Sequence, residues 1–89
     1  MSYSQFEADL LLAIIEAADA TSGGQVEVSQ IASTIFPQVN EDWIRSALKD
    51  FRDRGYFTNY VIPLGTSQTL VTVSAAARRQ AEAIKRDKR

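Results

Sequence analysis

The run Ile44, Leu48, Phe51, Gly55, Tyr56, Phe57 restricts the fold of this chain more than any other feature. Apolar residues at i, i+4 and i+7 make one face of a helix. A glycine four residues later supplies the left-handed conformation that commonly ends a helix. An aromatic and β-branched stretch begins directly after it, as a strand does. The spacing therefore predicts a helix over residues 41–54 that stops sharply and leads into a strand. Asn40 suits its N-cap, and Glu41 and Asp42 fall in the first turn, where the helix dipole favours negative charge. Ile44, Ala47, Leu48 and Phe51 are its core-facing residues.

The flanking segments read in the same way. A first helix is predicted from Ser4 to Ala20, with Ser4 and Glu7 as a capping box. Phe6, Leu10, Leu11, Ile14, Ala17 and Ala18 form a wide core stripe, and Ala8, Leu12 and Ile15 an adjoining strip. A helix apolar over most of its girth is central to a core or covered by a second subunit. That strip is assigned to a homodimer interface. Gln25 to Val28 alternates as a short strand. Ser29 is expected to cap a second helix with Ile31, Ala32, Ile35 and Phe36 facing inward, closed by Pro37. Phe57–Ile62 and Thr69–Val73 are strands around a turn at 63–68. Ser74 caps a last helix from Ala75 toward Ile84, with a thin face of Ala77, Ala81 and Ile84. Residues 1–84 are read as one domain and 85–89 as a basic, frayed end.

Composition narrows the function. The chain has 89 residues, no cysteine and no histidine. That excludes a disulfide framework and removes the commonest general base and metal ligand. The carboxylates are scattered, there is no glycine-rich phosphate loop, and no loop has the spacing of an all-oxygen metal site. No enzyme, cofactor or metal is expected. The longest apolar run, Leu10 to Ile15, is far short of the roughly 20 residues of a membrane span. No secretion signal is seen, so a cytoplasmic location is expected. Net charge is −1, but residues 1–44 hold seven acids and no base, and residues 45–89 hold all ten Lys and Arg against four acids. Such a split hints at an interaction face for nucleic acid or an acidic partner.

The order helix, strand, helix, helix, strand, strand, helix resembles the winged helix-turn-helix superfamily of small regulators. The residues that carry the resemblance are Ser29-Gln30-Ile31-Ala32, the Ile44/Leu48/Phe51/Gly55 spacing, and the hairpin ending in Val73-Ser74 before a helix. It implies an α+β, mainly helical fold, a winged helix, with helix 41–54 in the major groove of double-stranded DNA.

On that implication the outward residues Arg45, Ser46, Lys49 and Arg52 become candidates for DNA contact. Arginine pairs with guanine in bidentate fashion, and lysine reaches guanine or phosphate. Thr66, Ser67 and Gln68 at the wing, with Asn59, can donate to phosphate, and Arg78 and Arg79 with the basic tail can add sequence-neutral contacts. The competing view is a solvated helix. Glu41/Arg45, Lys49/Asp53 and Asp50/Arg54 are i,i+4 pairs, and the helix is neutral overall. The wing has no Lys or Arg. A winged helix used for protein interaction, without DNA, is the alternative function. Trp43 is then either a packing residue or an interface anchor. Tyr56 and Tyr60 are read as sheet residues.

Overall fold

A computed structural model describes residues 2–21, 24–61, 65 and 68–87. Seven elements follow one another: α1 (Tyr3–Asp19), β1 (Gln25–Glu27), α2 (Val28–Ile35), α3 (Glu41–Asp53), β2 (Phe57–Val61), β3 (Leu70–Val73) and α4 (Ala75–Asp87). The chain is mainly helical, with one small antiparallel sheet of order β1-β3-β2. Val71 is the central sheet residue, opposite Val26 on one side and Tyr60 on the other. Phe6, Leu10, Leu11, Ile14, Ile15 and Ala18 of α1 are buried. Val28 and Ala32 of α2, Ala47, Leu48 and Phe51 of α3, Ala77 and Ala81 of α4, and Val26, Phe57 and Val71 of the sheet complete that core.

Several local expectations are corrected. The cap of α1 is Ser2, whose hydroxyl accepts from the Gln5 amide at 3.2 Å; Ser4 lies inside the helix. Glu7 is thereby free of the capping role and turns toward α3. The strand β1 ends at Glu27, and Val28 already belongs to α2. Ser29 does not cap α2; Glu27 does. Its Oε1 accepts from the Ser29 amide at 3.1 Å and the Thr69 amide at 3.0 Å, and its Oε2 from the Gln30 amide at 2.7 Å. A carboxylate has acceptor sites enough for three donors, more than a single serine hydroxyl offers.

Ile35 does not face inward: it is 53% exposed, because α2 is short and Ala32 and Val28 take its buried side. The strip on α1 is covered by the chain itself only at Ile15. Ile15 is only 5% exposed, and Leu12 packs partly buried against the core. Ala8 is half-buried. Ile15 thus leaves almost nothing for a second subunit to cover. The helix α4 continues to Asp87, so residues 85–87 are helical; 88 and 89 lie outside the described residues.

Other junctions agree with the sequence. Asn40 accepts from the Asp42 amide at 2.8 Å. Gly55 has φ +79°, and its amide donates to the Arg52 carbonyl while the Tyr56 amide donates to Phe51. That is the doubly bonded glycine stop, with its apolar contact between the Tyr56 and Phe51 rings at 5.8 Å. Ser74 caps α4 by accepting from the Ala77 amide, and its hydroxyl donates to the Gly55 carbonyl at 2.7 Å. One serine thus joins the end of α3 to the start of α4. The pairing of β2 with β3 is irregular between Phe57 and Asn59. One extra residue there puts Tyr60 on the side of Phe57, with ring centroids 6.0 Å apart.

Glu27→Ala strips three backbone amides of their acceptor. It should lower stability by about 1–2 kcal/mol in urea unfolding. A loss within experimental error would show that water replaces the carboxylate freely.

Candidate functional site

The helix α3 shows three distinct sides. Ala47, Leu48 and Phe51 are buried. Trp43, Asp50 and Arg54 turn toward α1. Trp43 packs edge-on against Tyr3 at 5.4 Å and near Phe6 at 5.9 Å. Phe6 in turn meets Phe36 at 5.1 Å. This makes Trp43 a packing residue between α1 and α3, half-buried, with its open side over a pocket formed with Gln38, Val39 and Asn40.

The third side is the candidate site. Arg45, Ser46, Lys49 and Arg52 are all exposed. Arg45 borders a groove of about 620 Å³ between α2, α3 and the sheet. Ile44, Leu48 and Tyr60 supply its apolar lining, Ser29, Ser33 and Thr69 its hydroxyls, and Glu41 an acid at its edge. Arg52 lies over the Tyr60 ring, 5.4 Å from its centroid. The aromatic face favours the cation and holds the guanidinium beside the groove.

Local pairing differs from the i,i+4 pattern expected. Arg45 pairs with Asp42 at 2.7 Å rather than with Glu41, and both side chains are about three-quarters exposed (75% and 76%). Arg52 approaches its neighbour Asp53 at 3.7 Å. Arg54 reaches across to Glu7 at 3.9 Å, and Asp50 accepts from the Tyr3 hydroxyl at 3.3 Å. Tertiary partners on α1 thus take two charges that local spacing assigned to each other. Exposed pairs such as Arg45–Asp42 hold their partners weakly and exchange them readily.

The remaining predicted residues are dispersed. Gln68 shares a shallow pocket with Glu27, Ser29, Gln30 and Ser33 at the start of α2, near the groove. Thr66 and Ser67 lie outside the described residues. Asn59 is exposed on β2. Arg78 is drawn away to the end of α1 by an ion pair with Asp19, and does not pair with Glu82. Lys85 is 4.0 Å from Glu82, and Arg86 donates to its backbone carbonyl. Arg79 is exposed on α4. Among the described residues, no helix is long and apolar enough to cross a membrane.

Two residues were missed as parts of the site. Glu27 brings a carboxylate to the α2 start, where sequence pattern favours Ser29. Tyr60 forms part of the groove because the β2 irregularity shifts its side, a feature without a sequence signature. A third group, Tyr3, Glu7, Asp50 and Arg54, had a readable sign: Tyr3, Glu7 and Leu11 share a four-residue row on a helix that is mostly buried. Burial holds the Glu7 carboxyl above its ordinary range; Arg54 opposes that rise and Asp50 adds to it. Burial, then the negative charges of Glu7 and Asp50, push the Tyr3 hydroxyl up to about 12.

No family model, no curated protein and no solved structure matches the chain.

The contrast between the sides of α3 has a measurable consequence. Arg45→Ala should change stability by less than about 0.5 kcal/mol, as an exposed pair does. Trp43→Ala removes the packing against Tyr3 and Phe6 and should cost about 2–3 kcal/mol. Equal effects in thermal unfolding would contradict this division of α3.

Proposed function

We propose that this chain is a winged helix that binds double-stranded DNA, with α3 in the major groove. The observation that carries the proposal is the exposure of Arg45, Lys49 and Arg52 together, at i, i+4 and i+7, beside an open groove. Element order and the β1-β3-β2 sheet support the fold part of the reading. In this arrangement α3 docks with its exposed row inward, Arg45 and Arg52 against base edges and Lys49 against a base or phosphate. The Arg45–Asp42 pair costs little to break, since both groups already face water. Gln68 borders the start of α2, where its side-chain amide can donate to phosphate. Arg79 remains available on α4, while Arg78 must first leave Asp19. A cytoplasmic location accords with this role. Self-association through α1 rests on the half-buried Ala8 and Leu12, with Ile15 withdrawn into the core. Sedimentation at micromolar concentration showing only a 9.9 kDa species removes the dimer.

A second reading, a protein-interaction module, is favoured by one specific feature. The Glu27 carboxylate already occupies the amides that open α2, and Glu41 and Asp42 stand at the start of α3. Both helix starts therefore present negative charge where phosphate otherwise binds.

Fluorescence anisotropy of labelled mixed-sequence duplex across a salt series separates the two. DNA binding should weaken steeply with salt. Replacing Arg45, Lys49 and Arg52 together by alanine should cut affinity at least about tenfold and flatten the salt slope by about one unit per lost phosphate contact. An intact fold with unchanged affinity would remove α3 from the mechanism. No binding by the wild-type chain at low salt would make the protein-interaction reading the conclusion.

A further inference from the structure

Tyr3 and Glu7 stand one turn apart on α1, and Asp50 and Arg54 one turn apart at the end of α3. Their side chains meet between the two helices, away from the Arg45–Arg52 row. The Tyr3 hydroxyl donates to Asp50 Oδ2 at 3.3 Å. Glu7 Oε2 is buried and has no hydrogen-bond partner. Its nearest cation is poorly placed: Arg54 Nη1 is 3.9 Å from Glu7 Oε1, beyond hydrogen-bond range, and the Arg54 side chain is 53% exposed against 14% for Glu7. A buried acceptor without a partner is costly, and an ionised one more so.

Tyr3, one turn before Glu7, donates to Asp50, and Arg54, one turn after Asp50, approaches Glu7, so the two carboxyls share one contact between the helices. Two ionised carboxylates are acceptors only, so they repel and neither can donate to the other. One added proton reverses both effects. Glu7 then donates, Asp50 accepts from Glu7 and from Tyr3, and one negative charge leaves the buried contact.

We propose that a proton held by Glu7 and donated to Asp50 clasps α1 to α3, and that its release loosens this contact. The groups facing Glu7 are few. Its own helix offers Tyr3, which remains a donor because its hydroxyl is pushed up to about 12. The end of α3 offers Asp50 and Arg54. Across a small cavity of about 120 Å³, Tyr56 follows α3 and α4 presents only the uncharged Gln80 and Ile84. The direction of pH dependence follows from burial and Asp50 raising the Glu7 carboxyl against the opposing Arg54 and Tyr3. A group with a raised folded value stabilises fully below the unfolded glutamate value and loses that contribution as pH climbs through the folded one. The clasp therefore weakens toward alkaline pH. In a chain without histidine it supplies a proton switch from a carboxyl alone.

Urea unfolding from about pH 4.5 to about pH 8 tests this in the intact chain. The wild-type folding constant should fall about tenfold for each unit by which the Glu7 value is raised. Glu7→Gln keeps a donor toward Asp50 and should show a flatter dependence. A level wild-type profile, or the same slope in Glu7→Gln, overturns the clasp. Should Glu7→Gln fold poorly, carbon-13 NMR of the wild-type Glu7 carboxyl decides. A midpoint above the ordinary glutamate range, lowered by Asp50→Asn, supports the clasp; a midpoint within that range overturns it. No DNA enters either measurement, so the clasp and the DNA-binding reading succeed or fail separately.

Discussion

Burial of α1 is the constraint on which the rest of the molecule depends. Six of its apolar side chains are buried, and they face α2, α3, α4 and the sheet together. A chain of 89 residues has little surface to spare for a core, so a helix wrapped on most sides is the efficient solution. It also explains why charge on α1 is unusual in its effects. Glu7 lies at the margin of this buried helix, and its carboxyl has to find a partner across the contact with α3. Exposed acids such as Glu16 carry no such burden.

Around that helix the chain is fastened by a few short junctions rather than by long ladders. Glu27 holds the starts of α2 and β3 together through three amides. Ser74 holds the end of α3 to the start of α4. Gly55 permits the backbone stop between α3 and β2 because its φ of +79° carries no Cβ penalty. None of the three junctions uses the side chain of Arg45, Lys49 or Arg52.

Charge is distributed by side as well as by sequence. The two residues Asp50 and Arg54 look like a local pair when only spacing is considered. In the folded chain each finds its partner on α1, at Tyr3 and Glu7. Arg78 is likewise claimed by Asp19, a residue 59 positions earlier. Basic residues of α3 and Arg78 therefore play different parts. Some tie helices together, and some, on the groove side of α3, remain largely in water.

By itself the sequence determined where the helices and strands lie and which face of each is apolar. Those properties depend on spacing within a few residues: Ile44, Leu48 and Phe51 on one side, Asn40 before them, Gly55 after. Tertiary structure alone decided which capable residue acts at each junction and which charge meets which. Ser4 and Ser29 are both good caps by type, yet Ser2 and Glu27 take the positions, because a cap is chosen by where the backbone turns. Ile15 and Ile35 are both isoleucines on apolar helical faces. The first is buried because α1 is surrounded, and the second is exposed because nothing in the described chain covers the end of α2. The Tyr3–Asp50 hydrogen bond spans 47 positions, a separation over which no local periodicity carries information.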